Sequence, residues 1–411
     1  MTSLRLRGQV LWQSPALVGD SPYPPLPEVN SPTPDTWRGA SGAPSEKLNP
    51  PTWVSGDFEV RDGRIYQVPA AGSADIEGWI IPGLVDVHCH IGIKMGGFSS
   101  PEEMLDQARE NHRAGVLLVR DCGSPNDNSH VANRPDTLRL VRAGRHLAKP
   151  KRYIQGSALE LVTDSELPAA MQAQARAGDG WVKLVGDWID RADGAESDLQ
   201  PLWDPQALAE GVAAVHEVGG RVTVHTFAHA TIDSLLNAKV DCIEHGTGMS
   251  PEQISEAAAQ GIAITPTLLQ VGLFNQFAAA AGTKYPVYAA HMQSLQALHE
   301  RVLEQFVQAG IRLLPGTDAG GFQPHGQLPA EILRWKEMGF TDAQILDMAT
   351  WQAREYLGFS ALSEGAAADF VVYEHNPAED LHILATPKMV HLGRIAEFSP
   401  RGEQSHLSSS G

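Results

Sequence analysis

The residues PGLVDVHCH end in two histidines, His88 and His90, that are separated by a single residue. Alternate side chains of a β-strand point to the same face, so Asp86, His88 and His90 are predicted to line up together. A core strand gains little from two inward imidazoles, because each buried ring needs a hydrogen-bond partner. Two imidazoles on one face at a strand end can hold a divalent metal ion, although the HxH pattern is also common in surface strands.

Lys183 lies within WVKLVG, an apolar segment with the character of a buried strand. An isolated ammonium is costly in such a strand, so Lys183 either pairs with a carboxylate, extends its amine outward, or reacts. A neutral lysine amine can combine with carbon dioxide to form a carbamate. That group behaves as a carboxylate and can bridge two metal ions.

Further metal-competent side chains follow at His225, His245 and Asp318. His225 and His245 are 20 residues apart (245 − 225), which is one strand-helix step, so both can face one pocket. Each could instead be a core histidine bonded to backbone. Asp318, in PGTDAGG, could be a turn or helix-capping aspartate, or it could bind metal and accept a proton from a nucleophilic water.

The elements that must position these residues alternate between strand-like and helical runs from residue 80 to 359. Repeated βα units predict a (β/α)8 TIM-type barrel, in which the C-terminal ends of the strands meet at the active-site rim. An open Rossmann-like sheet is the alternative, but no glycine-rich nucleotide motif follows the first strand. The predicted strands are IIPGLVDVHCH, GVLLVRDCG (115–123), RYIQGSAL (152–159), WVKLVGD (181–187), RVTVHTF (221–227), VDCIEHG (240–246), GIAITPTL (261–268) and IRLLPGTDAG (311–320).

The two chain ends, 1–79 and 360–411, are predicted to form one small β-sandwich. Residues 4–12 alternate like a strand, 57–69 contain a DG turn typical of a hairpin, and 368–398 are strand-rich. A proline-rich insertion loop is expected at 14–56, where Trp37 and Trp53 could cover the sandwich, bridge subunits of a homo-oligomer or form a lid over the barrel. The tail 401–411 is expected to be disordered.

The 411-residue chain carries a formal net charge of −18 and no long basic cluster. Nucleic acid and anionic membranes are therefore not expected as partners, and a small-molecule substrate is. No apolar run reaches the ~20 residues of a membrane helix, and no signal peptide is apparent. The odd number of widely spaced cysteines suits a reducing compartment, so a cytoplasmic location is expected.

The motifs PGLVDVHCH, WVKLVGD, VTVHTF, CIEHGTGM, ITPTL and GTDAGG resemble the amidohydrolase superfamily, in its prolidase-like and imidazolonepropionase-like branch. The resemblance implies that His88, His90 and Asp318 bind one metal and that His225 and His245 bind a second. It implies that Lys183 is carboxylated and bridges two divalent ions, with zinc the expected metal. Imidazolonepropionase-type members have a mononuclear site without this lysine, so Lys183 favours the binuclear group.

Two features depart from the family pattern. The insertion at 14–56 is not a general feature of the family. The sequence HTFAHA stands where relatives often have an HAHG-like sequence, so either His225 or His229 could face the metal. His225 is in phase with Thr223 and out of phase with its valine neighbours, which predicts that His225 faces the polar interior. His229 is assigned to the following turn as a possible substrate contact.

These features predict a hydrolase that attacks an amide-type C–N bond with a metal-bound hydroxide while Asp318 serves as base and then acid. A dipeptidase or an N-acyl amino acid hydrolase is expected, and the substrate carboxylate could be held by a cation among Lys94, Arg191, His229 and His325. The alternative is a mononuclear hydrolase or deaminase of cyclic amides or amidines. A non-catalytic relative is the remote alternative, since every ligand position is filled.

Overall fold

The computed structural model describes residues 3–14 and 49–393 of the chain. The strands, in chain order β1 to β19, are Leu4–Trp12, Thr52–Arg61, Arg64–Val68, Ile76–Pro82, Leu84–Cys89, Ile93–Lys94, Gly97–Phe98, Val116–Asp121, Arg139–Arg142, Leu147–Ala148, Leu159–Glu160, Trp181–Val185, Asp187–Ile189, Leu199–Pro201, Arg221–Thr226, Cys242–His245, Ala263–Thr265, Phe370–Tyr373 and Met389–His391. The helices, α1 to α11, are Pro101–Arg113, Leu167–Ala177, Pro205–Glu217, His229–Ala238, Pro251–Gln260, Leu268–Val271, Phe274–Ala281, Pro286–Ala309, Leu328–Leu333, Asp342–Asp347 and Ala353–Tyr356. None of these helices is long and apolar enough to span a membrane.

One six-stranded sheet joins the two ends of the chain, in the order β19-β18-β4-β1-β2-β3. β1 pairs antiparallel with β2 on one side and parallel with β4 on the other. The alternating side chains predicted for residues 4–12 bury Leu6 and Val10 against Phe58 and Phe370. The predicted hairpin joins β2 and β3 through Asp62 and Gly63, whose φ values of 50° and 75° suit the tight turn that the DG pair favours.

The strand β2 begins at Thr52, inside the segment expected to be a loop. Its first residues pair with the end of β1, as in Trp12 with Thr52 and Leu11 with Trp53. The indole of Trp53 packs edge-on against Trp79, with ring centroids 5.0 Å apart. The expected loop therefore ends sooner than residue 56. The rest of it, 15–48 with Trp37, lies outside the described residues, as does the tail 401–411.

The parallel strands form two sheets, with orders β5-β8-β9 and β11-β10-β12-β15-β16-β17. β9 pairs with β8 in the first sheet, and β10 pairs with β12 in the second. Only four residues separate β9 from β10, so this short segment links the two sheets. On the opposite side, residues 312–319 hydrogen-bond to both sheets. Leu314 N donates to Ile264 O, Val87 N to Pro315 O and Asp318 N to His88 O. The architecture is mixed α/β with parallel strands that all contribute ends to one region.

The segment 311–320 is not the regular strand that its apolar start predicts. It makes only isolated bridges, at Leu313 and Ala319. Pro315 has no N–H to donate to a ladder, and Asp318 takes a left-handed φ of 56°. The extended chain therefore reaches the centre of the molecule without forming a continuous ladder.

The prediction of a strand at 152–159 is wrong. Residues 151–158 are turns and bends, where Lys151 and Gly156 have φ values of 61° and 82° that interrupt extended chain. The position expected for the third strand of the barrel is instead occupied by β9 and β10. Sequence reasoning missed β9 because its arginines look like surface residues, whereas Arg139 pairs with Asp369 and Arg142 with Asp179.

The run IIPGLVDV is two strands rather than one. β4 belongs to the terminal sheet and β5 to the parallel strands, and Gly83 separates them. A Cβ at Gly83 would lie only 2.4 Å from the Cβ of Leu117, so the close approach of β8 requires glycine here. This break aims the end of β5, with its histidines, at the site.

Candidate metal centre

The end of β5 and the segment after Pro315 bring His88, His90 and Asp318 into contact. Asp318 Oδ1 lies 3.1 Å from His88 Nε2 and 3.3 Å from His90 Nε2. The side chain of His88 is fully buried, whereas that of Asp318 is 12% exposed. His90 Nδ1 lies 3.1 Å from the carbonyl oxygen of Gly123, an acceptor that requires the proton on Nδ1. His90 Nε2 therefore carries a lone pair that faces Asp318.

The backbone around Asp318 is held in an unusual conformation. Asp86, predicted to share the face of His88, accepts hydrogen bonds from the N–H and hydroxyl of Thr317, at 3.1 and 2.6 Å. A Cβ on Gly316 would lie 2.6 Å from the Cβ of His88, so the glycine lets the two segments approach. The buried Asp86 thus positions the turn that presents Asp318 rather than joining its contacts with the histidines.

His225 and His245 face each other on adjacent strands, as their spacing predicts. His225 Nδ1 lies 3.0 Å from His245 Nε2, and His245 Nδ1 lies 2.7 Å from the hydroxyl oxygen of Thr267. Thr223 contacts Glu244 at 2.7 Å across the same pair of strands. The phase argument therefore places His225 and Thr223 on the inner face correctly.

Lys183 makes an ion pair with Glu244, and both side chains are fully buried. This arrangement is the carboxylate pairing considered for Lys183 from its sequence environment. Glu244 also lies 3.7 Å from His88 Nε2, through Oε2. Lys183 therefore joins the histidine cluster through Glu244.

Glu244 is a central residue that sequence reasoning missed. It precedes His245, and neighbouring strand residues normally point to opposite faces. His245, however, has a φ of 64°, so the alternation ends there and both side chains turn inward. The signal that could have found Glu244 is an acidic residue directly after the apolar pair Cys242 and Ile243 and directly before a candidate metal ligand.

Several nitrogens at this centre lack a hydrogen bond of acceptable geometry from any described residue. They are both ring nitrogens of His88, Nε2 of His90 and Nε2 of His225. Buried polar atoms are normally satisfied, so unsatisfied imidazole nitrogens beside a carboxylate fit a missing cation. His88, His245 and Asp318 can each offer a ligand atom, with all three atoms within 4.8 Å of one another. The donor set of imidazole and carboxylate suits zinc, manganese or iron.

Burial and neighbouring charges shift the pKa values of these groups. Burial acts to raise the pKa of Asp318, but His88 and His90 outweigh it and hold that pKa well below its usual value. Burial lowers the pKa of His225 well below normal, with His245 and Lys183 acting in the same direction. Burial also lowers the pKa of His245, to about 3. Asp318 is thus an ionised carboxylate, and His225 and His245 are neutral imidazoles, which are the forms that bind metals.

The proposed substrate contacts lie in different surroundings. His325 is buried beside Asn111 and Cys89, with Nδ1 3.2 Å from the Asn111 amide nitrogen. His229 is exposed at the start of α4, and its Nδ1 lies 3.1 Å from Gly248 O. Lys94 pairs with Glu103 at 2.6 Å, and Arg191 is exposed. Within the described part of the chain, these four side chains do not reach the metal-competent cluster at hydrogen-bond distance.

Aromatic and histidine side chains that the sequence reasoning did not single out surround His225 and His90. The rings of Tyr153 and Trp188 lie 5.6 and 5.5 Å from that of His225, and the ring of His146 lies 6.2 Å from that of His90. Their signal in the sequence was weak, because Tyr153 and His146 fall in or beside the segment mistaken for a strand. They form an aromatic wall on one side of the cluster.

Comparison with known proteins decides the family. The model of the amidohydrolase family matches residues 79–404. The chain belongs to the amidohydrolase family. Members of this family are hydrolases of C–N bonds that generally bind divalent metals, which agrees with the resemblance found in the motifs and with the donor set described above.

Individual proteins are similar to this amidohydrolase in sequence or in structure. An uncharacterized protein of Mycobacterium tuberculosis is 44% identical over 341 residues, which cover 82% of this chain and 91% of the relative. Ochratoxinase of Aspergillus niger is 24% identical over 362 residues, 76% of this chain and 73% of that enzyme. A crystal structure of a Xaa-Pro dipeptidase superposes with a TM-score of 0.71 at 17% identity, covering 96% of this chain and 99% of that one. The last similarity is one of fold and supports an α/β TIM-barrel-type architecture.

Proposed function

We propose that this amidohydrolase is a metal-dependent dipeptidase of the prolidase kind or an N-acyl amino acid hydrolase, with a binuclear centre bridged by carboxylated Lys183. The observation that supports it most is the convergence of His88, His90 and Asp318 with His225 and His245. His88, His90 and His225 have nitrogens without a hydrogen-bond partner among the described residues, and His88, His245 and Asp318 offer ligand atoms within 4.8 Å of one another. Divalent ions bound there, most simply zinc, would lower the pKa of water and polarise a substrate carbonyl.

The chain's own groups account for the proton movements. Asp318 is an ionised carboxylate with partial exposure, so it can take the proton of the attacking water. It then returns that proton to the leaving nitrogen as the C–N bond breaks. His88 Nε2 and His90 Nε2 lie 3.1 and 3.3 Å from Asp318 Oδ1, so a cation bound by both rings would also fix the position of this carboxylate.

Carboxylation of Lys183 requires its amine to be released from Glu244. The ammonium first loses one proton to solvent. The neutral nitrogen then attacks the carbon of carbon dioxide, an N–C bond forms, one C–O π pair moves to oxygen, and a second proton passes from the nitrogen to solvent. The product is an anion in place of a cation. Such a change inside a buried cluster is favourable only when other positive charge is present, which metal ions would supply.

His325 and His229 are proposed substrate contacts. The Asn111 carbonyl oxygen accepts the N–H of Gly326 at 2.9 Å, so the amide nitrogen of Asn111 must face His325 Nδ1. His325 is thereby the tautomer with its proton on Nε2, an atom without a hydrogen-bond partner among the described residues. This N–H and the exposed ring of His229 could hold the carboxylate or carbonyl of a substrate.

The architecture proposed to carry this chemistry is a closed (β/α)8 barrel at 80–359, with the chain ends 1–79 and 360–411 as a composite β-sandwich. Support for closure comes from the segment 312–319, which hydrogen-bonds to both parallel sheets. Support for the composite domain comes from the terminal sheet that contains strands of both ends.

The second candidate is a mononuclear hydrolase or deaminase of cyclic amides or amidines. The Lys183–Glu244 ion pair favours it, because a lysine held as an ammonium does not form a carbamate. The deciding experiment measures metal ions per chain in protein grown with bicarbonate, together with anomalous diffraction around Lys183. Two ions and a carbamate, with turnover of Xaa-Pro or N-acyl substrates, support the dipeptidase proposal. One ion and a free Lys183 contradict it and support the cyclic-substrate enzyme.

A further inference from the structure

Glu244 has no role in the ligand set inferred from the sequence, yet it lies at the centre of the cluster. Its side chain is fully buried, and it contacts Cys122, which follows β8, as well as side chains of β12 and β15 and His88 of β5. A carboxylate in such a place is costly unless its oxygens are matched by donors or cations. The partners of its two oxygens therefore indicate what it does.

The two oxygens of Glu244 have different surroundings. Oε1 accepts the hydroxyl of Thr223 at 2.7 Å and faces the thiol of Cys122 at 3.5 Å. The thiol of Cys122 is the donor in this contact, and the carboxylate oxygen is the acceptor. Oε1 is thus satisfied by neutral donors, and these orient the carboxylate.

Oε2 of Glu244 instead faces Lys183 Nζ and the unsatisfied Nε2 of His88, which lies 3.7 Å away. Two ligands bonded tetrahedrally to one zinc ion, each at about 2.1 Å, lie about 3.4 Å apart. The separation of Oε2 and His88 Nε2 is therefore close to that of two ligands sharing one ion. An ordinary hydrogen bond between these atoms would be shorter.

The charge balance leads to the same assignment. Lys183 is the cation that contacts Oε2, and carboxylation would replace it with an anion. The guanidinium of Arg120 donates to Val87 O, Thr223 and Cys242 and not to Glu244, and its one positive charge would stand against two anions. Glu244 would then be a buried carboxylate beside a second anion, which needs a new cation.

We infer that Glu244 is itself a metal ligand, binding through Oε2 the ion that His88 binds once Lys183 is carboxylated. This inference rests on the proposed binuclear centre. It adds a carboxylate from the end of β16 to a ligand set that otherwise takes only His245 from that strand. It also assigns Thr223 as the positioning residue that aims this carboxylate.

The test compares the Glu244→Gln and Thr223→Val variants with the wild-type chain. Glu244→Gln keeps the shape and removes the charged oxygen, whereas Thr223→Val removes only the hydrogen bond to Oε1. Metal affinity is measured by competition with a chromophoric chelator, and cobalt(II) loading gives an absorption spectrum that reports coordination. Thermal melting checks that each variant folds. If Glu244→Gln does not fold, Glu244→Asp, which keeps a carboxylate, is used in its place.

We expect Glu244→Gln to weaken the affinity for at least one ion by about 100-fold or more and to change the cobalt spectrum at full occupancy. Thr223→Val should weaken the affinity less, by about tenfold, which is the lower end of the range for a residue that hydrogen-bonds to a ligand without binding the metal. A folded Glu244→Gln protein that binds two ions with wild-type affinity and an unchanged spectrum overturns the inference. A wild-type chain with one ion and a free Lys183 also overturns the inference. That outcome is seen in the wild-type protein and contradicts the binuclear proposal as well, so it is distinguished from a failure of the Glu244 assignment alone.

Discussion

The imidazoles of His225 and His245 point a nitrogen at each other across two adjacent strands, with His225 Nδ1 3.0 Å from His245 Nε2. Burial lowers the pKa of both rings, so the pair is neutral and can share at most one proton between these atoms. A cation placed beside both lone pairs would satisfy them together. The pair therefore suits the proposed metal centre, and it leads to the first prediction.

Removal of bound metal should destabilise the protein. An ion present at 100 times its dissociation constant stabilises the folded chain by about 2.7 kcal/mol, so dialysis against a chelator should lower the melting temperature and added zinc should restore it. The measurement is a thermal melt with metal analysis of each sample. A His225→Ala chain serves as the control and should respond less. Identical melting curves before and after chelation would argue against a metal centre.

Asp318→Asn should abolish most of the activity while retaining much of the metal. The amide keeps an oxygen that can bind a cation, but it cannot accept the proton of water, so kcat should fall about 10³-fold. Turnover is measured on whichever Xaa-Pro or N-acyl substrate the wild-type enzyme hydrolyses, with metal content determined in parallel. Full turnover with the metal content of the wild type would exclude Asp318 as the base.

Thr267→Val should weaken metal binding without removing a ligand. The hydroxyl of Thr267 lies 2.7 Å from His245 Nδ1, and partners of this kind orient metal-bound histidines. We expect the affinity to fall about 10- to 100-fold in a chelator competition assay. Thr265→Val, a buried change in the nearby strand whose hydroxyl contacts Cys242, is the matched control. Equal affinities for both variants would show that Thr267 does not position His245.

Asp369→Asn should destabilise the junction between the terminal sheet and the parallel strands. Asp369 is 1% exposed and pairs with both Arg139 and Arg354, at 2.9 and 3.1 Å. Removing the charge takes an ionised carboxylate away from two buried guanidinium groups, at an expected cost of about 3–5 kcal/mol. Urea denaturation measures this, with Glu337→Gln as a control because its pair with Arg334 is exposed and should contribute about 0–1 kcal/mol.

His216 should make stability depend on pH. Its hydrogen bond to Asp241, at 2.9 Å, raises the pKa of His216 above its ordinary 6.5. The protonated form is favoured by folding, so this contribution is complete below pH 6.5 and is lost as the pH rises through the raised folded-state pKa. The side chains are about a quarter exposed, so about 1 kcal/mol or less is expected.

The His216→Gln variant provides the comparison for this effect. The difference in unfolding free energy between wild type and variant should be larger at pH 6 than at pH 9. Urea titrations at both pH values measure it. A difference that stays constant, or grows with pH, would contradict the assigned role of the His216–Asp241 pair.

The sequence alone determined the features that depend on neighbours along the chain. The HxH spacing placed His88 and His90 at one strand end, and the phase of His225 with Thr223 placed both on the inner face, because side-chain direction follows from strand geometry. The DG pair predicted the β2–β3 hairpin for the same local reason. Repeated strand and helix patterns, together with the motifs, identified the family.

Only the tertiary structure decided features whose causes lie far apart in the chain. The strand β9 is buried because Asp369 and Asp179 neutralise its arginines, and Lys183 is accommodated because Glu244 lies on another strand. The turn of Glu244 toward the centre depends on the left-handed conformation of His245, which the periodicity of the sequence does not predict. A local pattern reports the direction of a side chain, whereas the burial of a charge depends on a distant partner, and folding alone brings the two together.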